Sequence, residues 1–134
     1  MHRPIVSFAP SAPIALFALV TLTMVAAVAC DKVPAKDAVK VTCSDSVNSL
    51  GDKAKDGLVA TCPAGCTTGS VWGTDVYTTD SSICSAAVHA GVIQPAGGDV
   101  TVTLASGLQS YSGSNRHGVS SSDWGPFQKS FTVK

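Results

Sequence analysis

The spacing of apolar residues predicts one short, buried helix in the middle of the chain. Within residues 83–90, apolar side chains recur at i, i+3, i+4 and i+7, which is the spacing of one face of an α-helix. Serine and aspartate at 80–82 can cap the start of this helix, and Gly91 ends it. The polar stripe holds only Ser82, Ser85 and His89, so we expect the helix to be buried. The apolar residues on this helix face are Ile83, Ala86, Ala87 and Ala90.

Short runs on both sides of the helix predict strands. Residues 99–104 alternate polar and apolar, and residues 69–77 read as two short strands or one bulged strand around Gly73. Residues 127–133 predict a last strand, whereas residues 43–66 are polar and are predicted to be loop. These elements predict an α+β fold in which one central buried helix packs between short β-sheets.

An apolar run near the N-terminus predicts export. Residues 14–29 carry no charge and follow the positive Arg3. The run is shorter than the roughly 20 residues that a bilayer span needs, and it suits the core of a signal peptide over residues 1–29. A retained membrane anchor is the alternative, although Pro10 and Pro13 disfavour a longer helix.

Cys30 is a candidate for lipidation. The sequence Ala27-Val28-Ala29-Cys30 resembles the lipobox of bacterial lipoproteins, although Ala27 departs from the usual Leu. A lipid on Cys30 also explains the odd number of cysteines, which is 5. We therefore predict an exported protein, lipid-anchored to a membrane of the cell envelope, with a tether over residues 30–40 and a domain over residues 41–134. Ordinary cleavage that leaves a free Cys30 is the alternative.

The other cysteines predict two disulfides, because thiols oxidise in an exported chain. Zinc is the alternative, but the gap between Cys62 and Cys66 is wider than the usual C-x-x-C pair. We predict no metal and no cofactor. Four cysteines allow three pairings, and the residues alone leave the choice open. They are Cys43, Cys62, Cys66 and Cys84.

The charge composition argues against nucleic acid as a partner. The formal net charge is +0, and charged residues make up 13% of the chain. Phosphate binding needs clustered Lys and Arg, and the sequence has no such cluster.

Ser85 and His89 raise the question of catalysis. They lie at i and i+4 of the predicted helix, as a Ser–His nucleophile pair could. The helix is expected to be buried, however, and a histidine bonded to a backbone carbonyl fits better there. We predict a protein that is not an enzyme, with a small exported hydrolase using His89 as the alternative.

Two polar loops, 107–118 and 120–126, hold the candidate binding residues. Arginine offers a planar fork of donors, and Tyr and Trp offer flat faces with a polar tip, so the set suits a glycan or a lipid headgroup. Solvated connections without a ligand are the alternative. The candidate ligand-binding residues are Tyr111, Arg116, His117 and Trp124.

Several of these segments resemble the LCCL domain, an extracellular module. The similarity runs over residues 41–134 and is densest at residues 62–66, 71–77 and 81–93. The resemblance implies a central helix packed between sheets, with His89 and Gly91 in its structural motif. It also implies the pairing Cys43–Cys62 and Cys66–Cys84.

The resemblance implies a non-enzymatic module that recognises an extracellular or envelope partner, which could be a glycan, a lipid or a protein. Family members usually carry the module among several others, whereas here it stands alone behind a predicted lipid anchor. The stretch around Trp124 does not follow the family pattern closely, so the resemblance gives that residue no role.

Overall fold

A computed structural model of the chain describes residues 37–134. The predicted signal peptide and Cys30 lie outside the described residues. The elements in chain order are β1 (Val39–Lys40), α1 (Val47–Leu50), a 3₁₀ turn (Gly51–Lys53), β2 (Leu58–Cys62), β3 (Gly73–Thr74), β4 (Val76–Thr78), α2 (Ile83–His89), β5 (Gly98–Ser106), β6 (Asn115–Arg116), β7 (Val119–Ser120) and β8 (Lys129–Val133).

The strands form two sheets. A six-stranded sheet has the order β1-β2-β5-β8-β4-β3, and β6 and β7 pair as a separate two-stranded sheet. All pairs are antiparallel except β1 with β2, which is parallel. The α+β class predicted from the sequence is confirmed. Within the described residues, no helix is both long enough and apolar enough to span a bilayer.

Helix α2 is the predicted central helix, and it contacts β5 of the large sheet and β7 of the small one. All 7 of its residues are buried. The Ser82 side chain caps the helix by accepting a hydrogen bond from the Ser85 amide at 3.1 Å. Gly91, with φ of 76°, follows the helix end in the left-handed conformation that glycine adopts readily.

The two short strands predicted around Gly73 are present as β3 and β4. Gly73 has φ of 99°, and a Cβ there would lie 2.3 Å from the Val76 carbonyl oxygen. Asp75, between the strands, also has a positive φ of 64°. The change of chain direction between β3 and β4 places Tyr77 of β4 beside Phe131 of β8. Both side chains are fully buried in the core.

Two stretches differ from the sequence prediction. Residues 43–66 are not all loop, because they contain α1, the 3₁₀ turn and β2. Strand β2 pairs along its length with β5, which is far away in sequence, so its main stabilising contacts are non-local. Strand β1 lies in the stretch predicted to be tether, since Val39 pairs with Ala60.

The predicted number of disulfides is confirmed, but the predicted pairing is wrong. The bonds join Cys43 to Cys66 and Cys62 to Cys84, with Cα–Cα distances of 4.8 Å and 5.5 Å. The pairs Cys43–Cys62 and Cys66–Cys84 do not form, because the fold brings the end of β2 against the first turn of α2. Cys62 and Cys66, at the two ends of one turn, therefore bond to different partners.

Candidate recognition site

The two loops predicted to bind a ligand meet and form one surface. Tyr111 and Trp124 exchange two backbone hydrogen bonds, of 2.8 Å and 3.0 Å. The Gly113 amide donates to Asp123 Oδ1 at 2.7 Å. A Cβ at Gly113 would lie 2.5 Å from the Ser121 carbonyl oxygen, so this close approach requires glycine. These hydrogen bonds hold the two loops against each other between residues 111 and 124.

Tyr111, one of the candidate ligand-binding residues, does not present its ring to solvent. Its side chain is buried, at 4% exposure. The hydroxyl shares a hydrogen bond with Ser130 of β8 and accepts one from the Leu108 amide at 3.0 Å. A buried phenol needs such partners, and Tyr111 anchors the loop to the sheet from beneath.

Trp124 is the exposed aromatic of this surface. Its side chain is 46% exposed. The ring lies against Trp72, with centroids 5.6 Å apart and planes at 57°. Trp72 is half-buried and stands next to β3, and the amide of Ser122 in the Trp124 loop donates to the Val71 carbonyl at 2.9 Å. Trp72 was not among the residues predicted from the sequence, although it is one of only two tryptophans in the chain, which was a usable signal.

Arg116 lies apart from the tryptophan pair in its contacts. Its guanidinium donates to Asp75 Oδ1 at 2.8 Å, and both side chains are exposed. An exposed ion pair contributes about 0–1 kcal/mol, so Arg116 remains available to an anionic group of a ligand. The charge of Asp75, however, offsets the positive potential that an unpaired arginine would offer.

His117 lies over the end of α2. Its Nδ1 donates to the His89 carbonyl at 3.0 Å, which satisfies a carbonyl at the C-terminus of the helix. A Cβ at Gly91 would come within 2.7 Å of His117 Cε1. The imidazole of His117 therefore occupies space that a side chain at residue 91 would fill. Its hydrogen bond to the His89 carbonyl holds the β6–β7 turn against the helix.

His89 is fully buried, and both ring nitrogens have partners. Nε2 lies 3.1 Å from the Ser114 carbonyl oxygen, and Nδ1 lies 2.9 Å from the Tyr77 hydroxyl. A carbonyl can only accept, so Nε2 carries the proton and Nδ1 accepts from Tyr77. Burial raises the pKa of the Tyr77 phenol, which keeps that donor protonated. Ser85 is not paired with this ring, because its hydroxyl accepts from the Gly69 amide at 3.0 Å.

The predicted site residues fall into three environments. Trp124 stands exposed against Trp72, Arg116 and His117 lie on or beside the β6–β7 hairpin near Asp75 and α2, and Tyr111 is buried below. Within residues 37–134, no group of three or more His, Cys, Asp or Glu side chains could hold a metal ion. The exposed surface can stack on a flat apolar face and bond polar groups.

Comparison with known proteins identifies the domain. A family model described as "LCCL domain" matches residues 41–131. Human vitrin is 43% identical over 78 residues, which are 57% of this chain and 12% of vitrin. Human cochlin is 42% identical over 84 residues, covering 61% of this chain and 15% of cochlin.

Clotting factor C of Tachypleus tridentatus is 35% identical over 94 residues, which are 69% of this chain and 9% of that protein. The chain thus spans between 9% and 15% of the length of these three relatives. Two disulfides in so small a domain are typical of an oxidising compartment, so the protein is exported. Since the family model covers residues 41–131, nearly the whole of the folded domain, this chain belongs to the LCCL domain family.

Proposed function

We propose that this chain is an exported recognition domain without enzymatic activity, and that its paired loops at 107–126 bind an extracellular or envelope ligand: a glycan, a lipid headgroup or a protein. The observation that carries this proposal is the exposed Trp124 ring, held in place by Trp72 and by the backbone pair with Tyr111. A large ring fixed in advance loses little conformational entropy on binding.

The scaffold below these loops supports the same role. Tyr111 ties the first loop to β8, and His117 ties the hairpin to α2. Binding residues often lie on loops carried by a rigid framework, because the framework sets their positions before the ligand arrives. Arg116 adds a fork of donors at the edge of this surface.

The alternative of a hydrolase built on His89 has no geometric support. A general base must come within hydrogen-bond reach of a substrate proton, and His89 is 0% exposed with both nitrogens engaged. Ser85 is equally buried and bonds to Gly69 instead.

The loop surface is tested by replacing its exposed side chains. We expect the double variant Trp124→Ala, Arg116→Ala to retain at least about tenfold less solubilised envelope material in pull-down, since an aromatic anchor and a charged donor each contribute on the order of 1 kcal/mol or more. The matched control is Val92→Ala, an exposed apolar side chain beyond the end of α2. A folded double variant that retains as much material as the parent would place the binding surface elsewhere.

We further propose that a lipid on Cys30 holds the domain at the cell envelope. In a bacterial host fed a fatty-acid analogue, the parent protein should be labelled and Cys30→Ala should not, because the acyl chain is attached to that thiol. Ala27→Leu, which restores the usual lipobox residue, should label at least as strongly as the parent. Equal labelling of Cys30→Ala and the parent would reject the anchor.

A further inference from the structure

A second surface feature adjoins the tryptophan pair and shares Trp72 with it, while its other lining residues take no part in the site above. It is a groove of about 380 Å³ between the segments that follow Cys43 and Cys66. We call it the Asp80 groove. This volume lies within the range of small-molecule sites. Its side-chain lining consists of Ser44, Thr68, Ser70, Trp72, Asp80 and Ser82.

The walls of the Asp80 groove are fixed. The disulfide Cys43–Cys66 joins the two segments that form them. Ser82 Oγ donates to the Cys43 carbonyl at 2.7 Å, which ties one wall to the start of α2. The Gly69 amide donates to Ser85 Oγ at 3.0 Å, which ties the other wall to the same helix. A ligand therefore meets a preformed groove and pays little ordering entropy.

Asp80 carries the feature that points to a ligand. Its Oδ1 atom is shut off from solvent and has no hydrogen-bond partner, the only such side-chain atom among residues 37–134. An unpaired buried oxygen of a carboxylate is unfavourable, so its presence requires an explanation. Asp80 itself lines the groove, and the χ2 torsion of aspartate is broad, so rotation about χ2 would allow the carboxylate to meet a donor that enters.

The rest of the lining indicates which donor fits. The exposed residues Ser44, Thr68 and Ser70 have hydroxyls that can donate or accept. Trp72 supplies part of an aromatic face. Asp80 is the only charged residue of the lining, so a phosphate or another anion is repelled.

We propose that the Asp80 groove binds a neutral sugar. A pyranose ring presents hydroxyl donors to the carboxylate and to the serine and threonine hydroxyls, and its C–H face can stack on Trp72. This inference rests on the proposed function as a recognition domain, and it adds an adjoining site with a ligand class of its own.

The experiment titrates the protein, as recovered after export, with neutral oligosaccharides of glucose, galactose, mannose and N-acetylglucosamine, following tryptophan fluorescence and calorimetric heat. We expect at least one of these sugars to bind at up to millimolar concentration. Asp80→Asn keeps the side-chain shape but removes the negative charge, and it should weaken that binding at least about tenfold. Thr68→Val and Ser70→Ala, on the exposed wall, should each weaken it severalfold without lowering the melting temperature.

The matched control is Asp52→Asn, an exposed aspartate of the 3₁₀ turn outside both surfaces, which should bind the sugar as the parent does. Failure of every sugar to bind the parent, or equal binding by a folded Asp80→Asn protein, overturns the proposal. If the parent binds no sugar but still retains envelope material, only the groove assignment fails. If it binds neither, the proposed recognition function fails as well.

Discussion

Replacing Cys62 and Cys84 together by alanine is expected to lower the free energy of unfolding by about 3 kcal/mol and to create no free thiol beyond those of the parent. The energy follows from the chain-entropy model, in which the bond closes a loop with a sequence separation of 22 residues in the unfolded chain. This is a large share of the roughly 5–15 kcal/mol by which small domains are stable.

The position of this disulfide adds to its effect. It joins the end of β2 to the first turn of α2, and both cysteines are buried in the core. Losing the bond therefore also releases the helix from the sheet edge and leaves small voids where the sulfur atoms packed. Denaturant unfolding of the parent and the double variant measures the difference.

Thiol titration under denaturing conditions tests the pairing at the same time. The double variant of Cys62 and Cys84 leaves Cys43–Cys66 intact, whereas Cys43→Ala with Cys62→Ala should leave two unpaired thiols, on Cys66 and Cys84. Two new thiols in the first variant and none in the second would support the pairing implied by the family resemblance and contradict the structure.

The elements that the sequence predicts well are those with signals in the local pattern. Helix α2 has its apolar spacing, its capping Ser82 and its terminating Gly91 within ten residues, so the prediction came within one residue of its end. Strand β5 alternates clearly, and the turn at Gly73 and Asp75 separates β3 from β4. These features need no knowledge of distant contacts.

The errors concern features that depend on distant partners. Strand β2 is a run of only five residues inside a polar stretch, and its ladder forms with β5, which is distant in the sequence, so the local pattern gave it too little weight. Tyr111 lies in a polar segment, and only the contact with Ser130 of β8 makes it buried. The disulfide pairing likewise follows from how β2 meets α2, which spacing along the chain does not encode.

The candidate site divides in the same way. The sequence selected the two loops and Trp124, and the structure brings these loops together through the backbone pair of Tyr111 and Trp124. The sequence pattern did not select Trp72 or Asp80, because Asp80 was one of three possible caps for the helix. Only the packed structure shows that Ser82 is the cap and that Asp80 Oδ1 is without a partner.

His89→Gln is expected to lower the free energy of unfolding by about 2 kcal/mol, and the melting temperature by about 10 °C. The imidazole bonds Tyr77 through one nitrogen and Ser114 through the other. A glutamine amide occupies less of the ring volume and can reach only one of these partners. The other is left unsatisfied in a buried site, which costs about 1–3 kcal/mol.

The matched control is His117→Gln, which changes the exposed histidine that bonds the His89 carbonyl. Losing this hydrogen bond should lower the free energy of unfolding by no more than about 0.5 kcal/mol, because water can replace the lost donor at the surface. Thermal unfolding followed by circular dichroism compares both variants with the parent. The structural role requires that ligand binding by the folded fraction of His89→Gln stays close to that of the parent. If His89→Gln had the same melting temperature as the parent and had lost a measurable hydrolytic activity, His89 would be a catalytic base and the domain an enzyme.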